Sequence, residues 1–307
     1  MPELRRDALS GEVVLVAPGR AARPHTSAAR EAGADATADC PFCPGSEDQT
    51  PPELARTGGG EPNRPGWRVR AFANLYPFVG EGPGATGAHE VVVLSPDHDR
   101  DLARLEDDAA VEAFTMLRER SRVHAAAGHA YVQVAVNEGR EAGASLAHPH
   151  AQVVAVDFVP PAVEAALARF SAADADLVVE DHARAAAAES VVLTRSAAVA
   201  WCGAASSVPF EVRVAALGAG PRFGAATDDE LAGVALAVRD GLRRVGIVLA
   251  GPAYNVVVHD APTPLDTRFH WWVRLIPRVV VPAGFELGTG VLVEPVEPRQ
   301  AAAQLRA

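Results

Sequence analysis

Residues 137–152 read Asn137-Glu138-Gly139-Arg140-Glu141-Ala142-Gly143-Ala144-Ser145-Leu146-Ala147-His148-Pro149-His150-Ala151-Gln152, a glycine-punctuated loop running into a histidine-bearing segment. Ala151 to Val156 are apolar and β-favouring, which predicts a strand whose alternate side chains share a face. His148, His150 and Gln152 then stand together on one side. A neutral imidazole is a competent nucleophile near pH 7, because an ordinary pKa of about 6.5 leaves much of it unprotonated. Upstream, the small residues Gly143, Ala144 and Ser145 let backbone N–H groups approach a phosphate oxygen closely. The pattern predicts a loop that holds a phosphate while a histidine attacks it. An isolated His-x-His is more often a pair of surface histidines at a strand end. The full spacing Gly-x-x-x-Gly-x-Ser-x-x-His-Pro-His-x-Gln weighs against that plainer reading.

At these residues the chain resembles the galactose-1-phosphate uridylyltransferase family, a branch of the histidine-triad superfamily. That branch carries His-Pro-His-x-Gln where the hydrolase branches carry a third His in place of the Gln. The resemblance implies that His150 is the nucleophile that takes up a nucleoside monophosphate, and that Gln152 hydrogen-bonds the phosphoryl oxygens. It places Asn137, Gly143, Ala144 and Ser145 around the substrate.

Working outward toward the N-terminus, Cys40-Pro41-Phe42-Cys43-Pro44-Gly45 is a second constellation. A redox pair of this spacing sits at the start of a helix, and Pro44-Gly45 discourages a helix through Cys43, so a metal knuckle fits better. Zinc needs two more ligands. The resemblance supplies them as His98 and His148, giving a structural Cys2His2 zinc site. Arg20 and Arg23, three residues apart after a predicted strand at 13–18, read on their own as solvated surface. The resemblance implies instead that they bind phosphate, across a homodimer interface. Residues 26–39 are rich in Ala, Gly, Thr and acidic residues and read as a connection. Trp67 to Val79 predicts a strand ending in an aromatic corner, where Phe42, Phe72, Asn74 and Tyr76 match positions that line the family's nucleoside pocket. Leu75 stands where an Asp often follows that Asn. Packing alone would also account for Phe72 and Tyr76.

From His89 onward the periodicity predicts strand 90–95, helix 105–127, strand 131–136 and strand 148–156. The same order returns at 210–216, 227–245, 254–258 and 269–276, with Thr227-x-x-Glu230 as a capping box. The offset of roughly 120 residues reads as an internal duplication. In that register His270 replaces His148, Trp272 replaces His150 and Arg274 replaces Gln152. Members of the family often carry a second structural metal in the C-terminal half; the matching positions here are Ala166, His259, Trp272 and Arg274, so three of its four ligands are missing. Residues 161–188 are alanine-rich and predict helix, and Cys202 reads as core. Pro282 to Gly290 resembles the family's sugar-binding loop, in which Glu286 matches a carboxylate that contacts hexose hydroxyls. Val280 and Leu292 depart from a lysine and a glutamine flanking it. Pro298 to Ala307 predicts a closing helix.

A chain of 307 residues accommodates two such halves, at 1–157 and 158–307. A net charge of −11 disfavours a nucleic-acid polymer as partner. There is no apolar run of membrane length and no signal-peptide pattern after Met1, so a cytoplasmic protein is expected. Three cysteines do not make a disulfide framework. The expected fold is α+β: a duplicated histidine-triad-like fold of two mainly antiparallel sheets, each with helices on one face. The expected activity is transfer of a nucleoside monophosphate, UMP foremost, between a nucleotide-sugar and a sugar 1-phosphate through a nucleotidyl-histidine. The alternatives are phosphorolysis or hydrolysis of an ADP-sugar or dinucleoside polyphosphate, and non-catalytic nucleotide binding.

Overall fold

The computed structural model describes residues 3–6, 13–16, 40–82, 85–265 and 267–307. Arg20, Arg23 and the connection at 26–39 lie outside the described residues. Strands β1 (Glu3–Arg6) and β2 (Val13–Val16) pair antiparallel. The first half continues with β3 (Glu53–Gly58), β4 (Trp67–Ala73), β5 (Gly87–Val93), helix α1 (Asp107–Ala126), β6 (Tyr131–Glu138) and β7 (His150–Val156). Helices α2 (Pro161–Ala172) and α3 (Leu177–Ala187) follow, then β8 (Val191–Arg195), β9 (Ala198–Trp201), β10 (Val212–Ala216), α4 (Asp228–Val248), β11 (Tyr254–His259) and β12 (Trp272–Pro277). Two helices, α5 (Gly284–Thr289) and α6 (Pro298–Arg306), close the chain.

The halves do not form separate sheets. Strands β3 to β12 join in one ten-stranded sheet, in the order β3-β4-β5-β7-β6-β11-β12-β10-β9-β8. The seam is β6 against β11, where Val136 faces Val256 and Asn137 faces Asn255. Two sheets ending there would each leave a row of unpaired backbone N–H and C=O groups on an apolar edge, and pairing the two edges removes both. The order is symmetric about the seam: β6, β7, β5, β4 and β3 run outward one way, and β11, β12, β10, β9 and β8 the other. That symmetry is the one a duplication would make, while the expectation of two sheets is corrected to one.

Alternation within β7 decides which side does what. Ala151, Val153 and Ala155 enter the main core with Phe114 and Leu117 of α1 and Val234, Val238 and Leu242 of α4. Each of the valine, leucine and phenylalanine side chains among them contributes about 1.5–3 kcal/mol by leaving water. Helix α4 starts as its sequence predicts: Thr227 Oγ1 accepts from Glu230 N at 3.3 Å and Glu230 Oε2 accepts from Thr227 N at 2.9 Å. Buried charge fixes the helices to each other and to the sheet. Arg239 of α4 bonds Asp107 at the start of α1, and Arg120 of α1 clasps Glu90 of β5 with two bonds of 2.6 and 2.7 Å. Burial alone would raise the Glu90 carboxyl, but the bonds from Arg120 and His124 outweigh it and hold the group below its ordinary range.

The predicted helix at 161–188 is interrupted at 173–176, where Asp176 caps α3 by accepting from Val178 N and Val179 N. The stretch expected as a sugar-binding loop contains a short helix, α5, ended by Gly290 in the left-handed region. Among the described residues no helix is long and apolar enough to cross a membrane.

Candidate active site and metal centre

Strand β7 begins at His150, so His148 stands in the turn before it rather than in the strand. The turn is held by the strand beside it: Leu94 N donates to Pro149 O at 3.3 Å, and His148 Nε2 bonds Ser95 O at 2.8 Å. A carbonyl only accepts, so His148 carries its hydrogen on Nε2 and turns Nδ1 toward the knuckle. That Nδ1 lies 3.7 Å from Cys40 Sγ and 3.6 Å from Cys43 Sγ, and His98 Nδ1 lies 3.4 Å from Cys43 Sγ. One ligand atom from each of the four residues lies within 4.8 Å of every other. Bond lengths of about 2.3 Å to sulfur and 2.0–2.1 Å to nitrogen at a tetrahedral angle imply S···N separations of roughly 3.6 Å, so the donor set fits a tetrahedral cation.

The electrostatics agree with that fit. Burial first, and Cys40 beside it, push the Cys43 thiol up to about 12, and Asp99 and Asp97 push the same way. His148 is driven down to about 4 by burial. Two thiolates here need a positive charge that the neighbouring side chains do not supply, and a divalent cation supplies it.

Two residues on, His150 repeats the device. Its Nδ1 bonds the backbone carbonyl of His148 at 2.8 Å, so the neutral ring carries its hydrogen on Nδ1 and its lone pair on Nε2. Phe42, from inside the knuckle, stands edge-on to both rings, 6.2 Å from His148 and 5.2 Å from His150 between centroids. Metal knuckle and histidine strand are therefore one packed unit.

A cavity of about 350 Å³ opens beside it. Of the residues expected at the substrate, Phe42, Phe72, Asn74, Ser145, His150 and Gln152 line it together. Gln49, Thr50, Pro51 and Leu146 line it too, and no motif in the sequence marks them. Asn137, Gly143 and Ala144 are not on its wall. Asn137 Oδ1 accepts from Asn255 Nδ2 at 2.7 Å across the seam, and Asn255 also donates to Ala142 O at 2.9 Å, so the second half steadies the loop before the His-Pro-His turn. At Gly139, φ is +85° and a Cβ would meet the Cβ of Ala253 at 2.7 Å, so only glycine fits there. Glu286 does not come to this cavity: it sits in α5, where its Oε2 accepts from Ala283 N at 3.0 Å. His89, behind the wall, bonds Gln152 and Asn74; it stands just before the predicted strand 90–95, and no motif in the sequence marks it.

The corresponding positions of the second half hold no such donor set. His259 is stacked on Trp272 with centroids 4.6 Å apart, and Arg274 is paired with buried Glu211 at 2.6 Å. An indole and a guanidinium cannot ligate a cation, so these residues do not fit a second metal.

Fold and site together define the class: the chain belongs to the galactose-1-phosphate uridylyltransferase/ADP-glucose phosphorylase family of the histidine-triad superfamily. Residues 90–306 match the family described as a domain of unknown function (DUF4921). ADP-glucose phosphorylase of Arabidopsis thaliana is 28% identical over 333 aligned positions, which cover 99% of this chain and 92% of that protein. The crystal structure of an ADP-glucose phosphorylase from Arabidopsis thaliana with bound ADP-glucose matches with a TM-score of 0.79 at 27% identity, covering 100% of this chain and 99% of that one. A galactose-1-phosphate uridylyltransferase from Streptomyces lividans is 30% identical over 227 residues, 69% of this chain and 55% of that protein.

Proposed function

We propose that this enzyme transfers a nucleoside monophosphate from a nucleotide-sugar through a covalent nucleotidyl-His150. The observation that carries the reading is the bond from His150 Nδ1 to the His148 carbonyl, which leaves the nucleophilic lone pair on Nε2 at the wall of a cavity of nucleoside size. In the first step that lone pair attacks the α-phosphorus; the bond from phosphorus to the bridging oxygen breaks, and a sugar 1-phosphate leaves with the electron pair. In the second step an oxygen of a phosphate-bearing acceptor attacks the same phosphorus, and the P–N bond breaks, returning the electron pair to His150. Gln152 and Ser145, which line the cavity, stabilise charge on the transferring group, whereas the Gly143 and Ala144 amides, expected to do so, already donate to Arg140 O at 2.9 Å and Gly139 O at 3.1 Å. Phe42, Phe72 and Asn74 hold the nucleoside, Asn137 holds the loop, and Arg20 and Arg23 serve the phosphates; Glu286, which does not reach this cavity, would serve the hexose only from a second copy of the chain.

For the acceptor, inorganic phosphate is the first reading, with an ADP-sugar as donor. Similarity to ADP-glucose phosphorylase over nearly the whole of both chains supports it. Exchange between a UDP-sugar and a sugar 1-phosphate is the second reading, supported by the uridylyltransferase likeness and the His-Pro-His-x-Gln motif. The four knuckle residues would hold a structural Zn²⁺, which ties the turn before His150 to the strand end at Ser95 and takes no part in bond-making. We place the boundary between the two copies at 157/158. Val281, Phe285 and Leu287 are exposed apolar side chains that support a homodimer.

Incubation with ADP-glucose or a UDP-sugar and no acceptor, followed by intact-mass measurement without acid, should show one added nucleoside monophosphate, mapping to His150. Discharge by inorganic phosphate, yielding a nucleoside diphosphate, supports the phosphorylase reading; discharge by sugar 1-phosphate alone supports the transferase. Turnover with no adduct on any nucleotide-sugar would remove His150 as nucleophile.

A further inference from the structure

His89 lies buried in β5, its ring 4.5 Å from that of Phe78, and does not line the nucleotide cavity. It stands directly behind two amides that do. Because Val91 pairs with Gln152 and His89 with Val154, His89 and Gln152 are diagonal neighbours on one face of the β5–β7 ladder. His89 Nε2 lies 3.1 Å from Gln152 Oε1 and 3.0 Å from Asn74 Nδ2. The Asn74 amide is oriented by Tyr76 N, which donates to Oδ1 at 2.9 Å, so its NH2 faces the ring.

One neutral ring nitrogen cannot satisfy both amides. With a hydrogen on Nε2 it donates to Gln152 Oε1; with a lone pair there it accepts from Asn74 and repels the Gln152 oxygen. In the second case the Gln152 amide turns over and aims its oxygen into the cavity, against phosphoryl oxygens. In the first, the same amide aims its NH2 there and donates.

We propose that His89 is a positioning residue: by donating from Nε2 to Gln152 Oε1, it fixes the Gln152 carboxamide with its NH2 toward the phosphoryl group in transfer. The assignment rests on the reading of His150 and Gln152 given above. Asn74 is the counterweight, released toward the nucleoside when His89 holds Gln152. An oxygen in place of that NH2 costs a transition-state donor, an effect of about 10²-fold where such donors have been removed.

Two substitutions of similar length separate this role from packing: His89→Gln keeps an N–H near the Nε2 position, and His89→Met does not. With saturating nucleotide-sugar, adduct formation should slow about 10- to 100-fold in His89→Met and stay within about threefold of wild type in His89→Gln. Nucleotide-sugar Kd and Tm should change little in either. In a Gln152→Ala background the two should become alike, because a residue that acts only through Gln152 has nothing left to position. His89→Gln as slow as His89→Met, an undiminished effect of His89→Met without Gln152, or loss of folding in both variants would overturn the proposal. A wild-type protein that forms no adduct would instead overturn the His150 reading on which it rests.

Discussion

In the first half His148 Nε2 bonds the carbonyl of Ser95 at 2.8 Å, and in the second His270 Nε2 makes the same bond to Ala216 at 2.9 Å. Both rings are fully buried, and both anchor the turn before a strand to the end of its neighbour. Beyond that shared bond the halves part. His148 Nδ1 faces two cysteines, whereas His270 Nδ1 bonds Asp176, the cap of α3, at 2.7 Å. His150 meets a cavity of nucleoside size, while Trp272 stacks on His259 and packs against Phe170 and Phe269. Gln152 bonds His89 at the cavity wall, while Arg274 spends its guanidinium on Glu211 and Ser207. The framework bond is present in both copies, where it satisfies Nε2 of a fully buried ring. In the second half the corresponding face consists of packing and ion pairs, beside a cavity of about 420 Å³ lined by His259, Trp272 and Arg274.

The contrast is tested most severely at the paired positions 150 and 272. His150→Asn should abolish the nucleotidyl adduct and lower turnover by about 10³-fold or more, by analogy with loss of a nucleophile, whereas Trp272→Phe should leave turnover within about threefold of wild type. Measured kcat for the two variants checks this, and equal losses would mean that both halves share in catalysis.

Metal content comes next. Elemental analysis should find about one zinc per chain, on the expectation of one four-ligand site. Cys43→Ser should lose that zinc and melt about 10 °C lower, the order expected for a loss of several kcal/mol in a chain of this size. Zinc retained in Cys43→Ser, or two zinc ions per chain, would erase the distinction between the halves.

Arg274→Gln places the first half's residue in the second half. It takes the closer guanidinium from Glu211, which is 1% exposed, leaving Arg213 Nε at 3.7 Å as its cationic partner. Burial alone would raise the Glu211 carboxyl, and Arg274 chiefly holds it below its ordinary range. Breaking such a pair should cost about 3 kcal/mol of stability, read from denaturant unfolding, with zinc content unchanged.

The last effect is a pH dependence to which the second half contributes through His259. His259 is held down to about 4, by burial first and then by Arg274. Between pH 6.5 and 4 the unfolded chain would protonate this histidine while the folded chain does not, so stability falls as pH falls, by roughly 3 kcal/mol at the lower end. His259→Phe should make the Tm profile less steep over that window, with the part due to His148 remaining, and an unchanged profile would place the acid sensitivity elsewhere.

How much of this was legible in the residues varies by kind of contact. The knuckle, the histidine strand and the capping box at Thr227 each lie within a few residues of sequence, and their chemistry is carried by residue type. Periodicity exposed the duplication because β-branched alternation and helical spacing survive even where the site does not. The seam between β6 and β11 was not legible: backbone pairing has no side-chain signature, and either strand would read the same at an edge. Likewise no spacing marks Gln49 to Pro51 or Leu146 as cavity wall.

By itself, then, the sequence determined the class of chemistry: a His-Pro-His-x-Gln strand, a Cys-x-x-Cys knuckle and a second copy stripped of both. Tertiary structure alone decided which nitrogen of His150 holds its proton, that one sheet spans both copies, and that His89 stands behind Gln152. The physical reason is that residue type states what a group can donate or accept, whereas only its neighbours in space decide which of those options it exercises.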